Sequence, residues 1–279
     1  MAGREKVMSR VVRFWKLEGA GNDFLGLDGR RGGLGLTRER IAQWCDRRRG
    51  AGADGLLVVE KPRGRGADFR MRYYNSDGGE AEMCGNGARC FALLVRAATG
   101  WKGKSMRVET KAGPVHLEIL GQEVKVSMTD PGWPRLGKEI TAAGRRVRLD
   151  CIHTGVPHAV EFVRSVDGVD VEGHGRAIRY HNFFAPAGTN VNFVEVGRGN
   201  RIEVRTYERG VEAETLACGT GVVASSILAF LQKKVKPPVH VKTRGGDVLR
   251  VHFQWANDRA RNVVLQGPAR IVFEGVWHV

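Results

Sequence analysis

The sequence contains no apolar run approaching the length of a membrane-spanning segment. Its opening residues, MAGREKVMSR, carry charge but lack the hydrophobic stretch that a secretory signal requires, so the chain is expected to be cytoplasmic. Cysteine is scarce: Cys45, Cys84, Cys90, Cys151 and Cys218 are the full set. Without an export signal, these read as free thiols rather than a disulfide framework. Cys84 and Cys90 stand too far apart for a metal knuckle, and no second pair supports them, so no metal is expected. Acid is also short, with 30 Asp and Glu against 45 Lys and Arg, a formal net charge of +15. Such an excess suits a nucleic-acid partner. The basic residues are dispersed, however, and no zinc-finger spacing or aromatic–basic RNA-binding pattern accompanies them. The expectation is a basic surface and no nucleic-acid partner.

What is present is a globular composition, 42% hydrophobic and 27% charged over 279 residues, enough for two cores of ordinary size. The chain also repeats itself. Asn75 to Arg96 reads NSDGGEAEMCGNGARCFALLVR, and Glu208 to Gln232 reads ERGVEAETLACGTGVVASSILAFLQ. In both, Glu-Ala-Glu precedes a cysteine, and Cys-Gly-x-Gly leads into a helix. Val108-Glu-Thr-Lys-Ala-Gly113 is echoed at nearly the same offset by Val241-Lys-Thr-Arg-Gly-Gly246. Two copies are too few for a solenoid, so the pattern predicts two similar domains related by a pseudo-twofold axis.

Periodicity and punctuation predict an α+β chain, each domain a mostly antiparallel sheet wrapped around one central helix. Strands are expected at 11–17, 56–60 and 68–74, with 19–24 as a loop. Thr37 should cap a helix carrying Ile41, Trp44 and Cys45, which stops at Gly50 and is closed by Arg47-Arg48-Arg49. A helix over 88–98 follows the first cysteine loop, then strands at 105–111, 114–120 and 123–128. Asp130-Pro-Gly-Trp-Pro134 is the expected linker. Beyond it come strands at 145–152, 158–163, 191–196 and 201–207, a helix at 222–233, and strands at 238–243, 247–254, 262–265 and 270–274. The expected division is 1–128 plus 266–279 for the domain carrying Cys84, and 129–265 for the domain carrying Cys218. Gly50-Ala-Gly-Ala-Asp-Gly55 matches the dinucleotide fingerprint, but a helix precedes it and a strand follows, so it is read as a turn.

Cys45, Cys90 and Cys151 have the character of small buried hydrophobes. Cys84 and Cys218 differ, because each opens a helix, where a thiol's pKa is expected to fall. Two such thiols could form a redox pair, a nucleophile with its resolving partner, or two bases. Neither cysteine loop holds the histidine that would activate a nucleophile. Facing thiols suit a pseudo-symmetric reaction, in which one face of a carbon loses a proton and the other gains one, as in racemisation or epimerisation. The backbone N–H groups of Gly85-Asn86 and Gly219-Thr220 would then form an anion site for an α-carboxylate.

NSDGGEAEMCGNGAR, YERGVEAETLACGTG, GAGNDF and GTNVNFV together resemble the diaminopimelate epimerase family, and the likeness runs over nearly the whole chain. The resemblance implies two pseudo-symmetric α/β domains, with the last strand returning to the first domain. It also implies cofactor-independent interconversion of LL- and meso-diaminopimelate, with Cys84 and Cys218 as the acid–base pair, and a possible homodimer. By the same resemblance, Gly85, Asn86, Gly219 and Thr220 hold the α-carboxylate. Asn22, Asn75, Asn190 and Arg209 recognise the substrate, largely at its distal end, and Glu208 and His158 tune or orient the catalytic groups. The chain departs from the common pattern at Val156, where many members carry Asn, and at Gly55, where some carry Gln. Proline and hydroxyproline racemases share the layout with Cys-Gly-His in the first loop, whereas this chain has Cys84-Gly85-Asn86. Phenazine-type isomerases share the fold without the cysteine pair.

Overall fold

The structure, a computed structural model, describes residues 11–278. The first half contains β1 (Val11–Gly19), β2 (Asn22–Asp28), α1 (Arg38–Cys45), β3 (Gly55–Glu60), β4 (Phe69–Asn75) and β5 (Glu80–Ala81). Helix α2 (Gly85–Thr99) and strands β6 (Ser105–Thr110), β7 (Gly113–Leu120) and β8 (Glu123–Ser127) complete it. The second half opens with β9 (Arg135–Ala142), β10 (Arg145–His153), β11 (Pro157–Val163), α3 (Val171–Arg179), β12 (Asn190–Val196) and β13 (Arg201–Glu208). It continues through β14 (Ala213–Thr215), α4 (Gly219–Leu231), β15 (Val239–Thr243), β16 (Val248–Ala256), β17 (Arg259–Pro268) and β18 (Arg270–His278).

The internal repeat in the sequence becomes a repeat of strand pairing. Antiparallel β1–β2, parallel β2–β3 and antiparallel β3–β4 are matched by β10–β11, β11–β12 and β12–β13 with the same senses. Parallel β4–β6 is matched by parallel β13–β15, and α2 and α4 are the connections in between. The pair β18–β1 does in the first half what β9–β10 does in the second. The chain's last strand therefore closes its first sheet, and antiparallel β17–β8 joins the ladders of the two halves.

Each sheet wraps its helix because that helix is apolar on most of its circumference. In α2, Ala88, Cys90, Phe91, Ala92, Leu94 and Val95 are buried; in α4, every residue from Gly221 to Ala229 is. Close approach needs glycine at β2, where a Cβ on Gly26 would lie 2.6 Å from Leu94 Cδ1.

Several elements differ from expectation. Residues 19–24 form no loop: Ala20 and Gly21, at φ of 54° and 90°, make a two-residue turn and β2 starts at Asn22. Thr37 caps α1 by accepting from Arg40 N, but the helix ends at Cys45, short of Gly50. There the Asp46 carboxylate takes the N–H groups of Arg48 and Arg49, so the arginine run follows the helix instead of closing it. Strand β9 and helix α3 were not foreseen; Gly137 interrupts the first, and Gly173 with Gly175 dilutes the apolar pattern of the second.

Strand β18 is anchored by Trp277, stacked on Phe14 at 4.0 Å and on Trp44 at 4.4 Å between centroids. Trp277→Ala should lower the unfolding free energy by about 3 kcal/mol, as expected for a packed aromatic. A urea titration checks this, and loss should be uniform across probes if β18 is integral to the first half.

Candidate functional site

Helices α2 and α4 point their N-termini at each other. An ideal Cβ on Gly219 would lie 3.9 Å from Gly85 Cα and 3.7 Å from Asn86 Oδ1, so the two glycine turns are in contact. Cys84 and Cys218 occupy the two N-cap positions. Neither helix has an acidic residue in its first turn, whereas α1 has Glu39 and α3 has Glu172. The positive ends of the two central helices are left without a protein anion.

The sulfurs are held differently. Gly87 N donates to Cys84 Sγ at 3.4 Å, a cap within the helix's own first turn. Cys218 Sγ lies 3.5 Å from Thr220 Oγ1, which is 3.0 Å from His158 Nε2. The tautomer of His158 follows from Asn192, whose Nδ2 donates to Ala159 O at 3.1 Å while its Oδ1 accepts from Thr206 Oγ1. With the amide so oriented, Nδ2 also donates to His158 Nδ1 at 3.2 Å, leaving the ring proton on Nε2. Nε2–H then donates to Thr220, and the Thr220 hydroxyl proton is directed to sulfur. Burial pushes His158 down to about 3, so the ring is neutral.

The expected fall in the thiol pKa values is overturned. Burial pushes both thiols up, Cys84 against the Gly87 N–H and with Glu208 adding to the rise, and Cys218 with Glu208 next in importance. Removing a charge from water outweighs what one helix end returns. In this state both sulfurs carry their protons at neutral pH.

Cys84, Asn22, Asn75, Glu208 and Arg209 line one cavity of about 840 Å³. Arg209 also borders a neighbouring cavity of about 890 Å³, together with Val156 and His158. Glu208 is half-buried, accepts from Thr215 Oγ1 at 3.0 Å and is pushed up by desolvation. Asn190 does not face this space freely: its Nδ2 donates to Pro157 O at 3.2 Å and its Oδ1 accepts from Arg209 N at 2.8 Å, a clasp that fixes the Arg209 backbone. Asn86 is likewise engaged, donating to Asn22 Oδ1 at 2.6 Å, and Asn22 donates to Asp54 Oδ2 at 3.0 Å.

Sequence reasoning missed four contributors. Asp54, from the turn that imitates a nucleotide fingerprint, orients Asn22 and binds Arg47. Tyr73 lines the Cys84 cavity in the space left by Gly55, whose Cβ would be 2.7 Å from the ring. Asn192 sets the histidine tautomer, and Arg89 donates to Asn86 Oδ1 at 2.9 Å. Asn192 and Arg89 lie within the motifs GTNVNFV and NSDGGEAEMCGNGAR, and that membership is the signal that could have found them.

Comparison with known proteins gives a consistent picture. The family model described as diaminopimelate epimerase matches residues 14–134 and 151–272. The diaminopimelate epimerase of Aquifex aeolicus is 44% identical over 275 residues, covering 95% of this chain and 97% of that one. The corresponding protein of Chlorobaculum tepidum is 41% identical over 266 residues, with 93% and 98% covered. Among solved structures, a Bacillus anthracis phenazine biosynthesis protein of the PhzF family aligns with a TM-score of 0.75 at 16% identity, covering 97% of this chain and 100% of that one. A hydroxyproline epimerase from Agrobacterium vitis aligns at 0.70 and 16%, covering 96% and 93%. At such identities these two share the fold alone. The two-half fold, the paired cysteine caps and relatives of this identity over nearly the full length place the chain in the diaminopimelate epimerase family.

Proposed function

We propose that this chain interconverts LL- and meso-diaminopimelate by moving one α-proton between Cys84 and Cys218, with no cofactor. The observation that carries this reading is the meeting of two cysteine-capped helix N-termini beside a cavity containing Cys84, Glu208 and Arg209. An α-carboxylate placed at the paired N-termini would meet the N–H groups of Gly85, Asn86, Gly219 and Thr220, which also stabilise charge developing on it as the proton leaves. One of the two thiols first gives its proton to solvent, and as thiolate it takes the proton from one face of the α-carbon. The opposite thiol delivers its own proton to the other face, so thiol and thiolate exchange places and the charge balances.

The distal end of the substrate carries both signs of charge. Arg47 is committed to Asp23 and Asp54, whereas among the described residues the Arg209 guanidinium hydrogen-bonds only to the Ala187 carbonyl, at 3.2 Å, which suits it to a carboxylate. Asn75 and Asn22 supply carboxamides on the same cavity wall. We divide the chain into 1–128 plus 266–279 and 129–265, a division supported by β18 pairing with β1, and place the site between them. No helix among the described residues is long and apolar enough to cross a membrane. A cytoplasmic enzyme, acting on a small molecule and assembling as a homodimer, remains the working picture.

One outcome tests the reading and a second tests the state of His158. With LL-diaminopimelate in deuterated water and no pyridoxal phosphate, deuterium should enter one α-carbon as meso product forms, read by NMR. Cys84→Ala and Cys218→Ala should each lower turnover by at least ~10²-fold, the scale of a lost acid or base. Epimerisation that persists at the wild-type rate in either variant would sink the two-base mechanism.

The second outcome concerns His158. Its ordinary pKa of about 6.5 falls to about 3 in the folded chain. Between those values the unfolded chain binds a proton that the folded chain does not, so stability present above pH 6.5 is lost as pH falls. His158→Gln should therefore show a weaker loss of unfolding free energy than the wild type between pH 7 and pH 4, measured by urea titration at each pH.

A further inference from the structure

Helix α2 buries an arginine completely. Arg89 is 0% exposed, yet no carboxylate lies within ion-pair distance of it among the described residues. Its Nε donates to Pro268 O at 3.1 Å and its Nη2 to Asn86 Oδ1 at 2.9 Å, while Nη1 has no hydrogen-bond partner among the described residues. The backbone of Gly267 packs against it, a Cβ there being 3.4 Å from Nε. Burial pushes its pKa down, and the carboxylates that oppose this, Asp247 and Glu18, act from a distance. A buried cation without a counter-ion is strongly unfavourable, and folds retain one only where something offsets it.

Its position indicates what does. Arg89 grips the carboxamide of Asn86, and Asn86 lies against Gly219, where the N-termini of α2 and α4 meet. Both helices lack first-turn acids, so the positive potential of two helix ends and one guanidinium converges on a single small volume. The second half has no equivalent: Cys84 is followed five positions later by Arg89, but Cys218 by Val223.

Resting on the proposed epimerase reading, we propose that Arg89 is a positioning residue that acts as the remote counter-ion of the substrate α-carboxylate. It holds the Asn86 carboxamide in one orientation and keeps the site positive until an anion arrives. The carboxylate, and the greater negative charge it gathers as the α-proton leaves, offsets the charge that the free chain leaves unpaired. The same guanidinium favours the Cys84 thiolate over the thiol.

The test separates charge from bracing by comparing Arg89→Lys, which keeps the charge, with Arg89→Gln, which keeps a donor for Asn86 and removes the charge. Arg89→Gln should lose roughly 10²-fold in kcat/KM, as when a donor to a developing oxyanion is removed, and Arg89→Lys should lose much less. Equal losses in both variants would make Arg89 a brace and overturn the proposal. A second measurement does not need turnover. Alkylation of Cys84 by iodoacetate, an anion, is compared with alkylation by neutral iodoacetamide, the modified cysteine being identified by peptide mass spectrometry. The iodoacetate preference should fall several-fold in Arg89→Gln and persist in Arg89→Lys. A preference unchanged in Arg89→Gln overturns the proposal even if the wild type proves inactive on diaminopimelate. Wild-type inactivity with the preference behaving as expected would instead overturn the substrate reading and leave Arg89 as the anion's counter-charge.

Discussion

Two helix ends meeting in the protein interior is the constraint around which the rest of the molecule is arranged. The first turn of a helix presents N–H groups with no partner inside the helix. Here α2 and α4 bring those groups to the same place, with Gly85 and Gly219 in contact and no first-turn carboxylate on either helix. A Cβ at Gly219 would already touch the other helix's backbone. Such a junction is stable only if each helix is fixed from behind, and that is the work of the two sheets. The β17–β8 pair and the return of β18 to β1 tie the halves together close to it, with Pro268, the last residue of β17, accepting from Arg89.

Duplication set up the site, and divergence gave its two sides different support. Cys84 has a helix N–H at 3.4 Å and a buried guanidinium one turn further along α2. Cys218 has a hydroxyl at 3.5 Å, backed by a neutral histidine whose tautomer Asn192 fixes. One sulfur is tuned by a fixed charge, the other by a chain of neutral hydrogen bonds. A reaction that passes a proton across a carbon needs the two sulfurs similar in basicity, not in surroundings, so unlike devices can serve one end.

The cysteine loops could be read from the sequence because duplication and helix-capping leave marks in residue order: Glu-Ala-Glu, then Cys-Gly-x-Gly, then an apolar stripe. The layout of most strands could be read for the same reason, since alternation is local. The hairpin at Ala20 could not, because a non-glycine residue at positive φ gives no warning in the sequence. The thiol pKa values were misjudged in sign. A helix N-terminus is visible in a sequence, but the depth at which the fold buries it is not, and depth decided the outcome. Asp54 and Tyr73 were hidden because each belongs to a strand or turn whose partner at the site comes from a distant segment. Asn190 was expected to recognise the substrate, whereas its carboxamide holds backbone at Pro157 and Arg209, a contact only the tertiary structure reveals.

Burial that suppresses the thiolates also makes the site selective. In water, a sulfur would ionise near its ordinary value, but the helix N–H groups would be solvated and weak. Away from water the sulfurs keep their protons, and each N–H donor and the Arg89 charge act through a lower dielectric and so more strongly. A carboxylate that enters the helix junction takes up those donors, which no first-turn carboxylate occupies in the free chain. Glu208, half-buried on the same cavity wall as Cys84 and itself pushed towards its neutral form, would repel a thiolate if it ionised alone. A substrate carrying an ammonium group along with its carboxylate supplies a positive charge that can offset that repulsion. The free site therefore resists ionisation, and a zwitterion of the right length is the ligand whose charges relieve it at both ends.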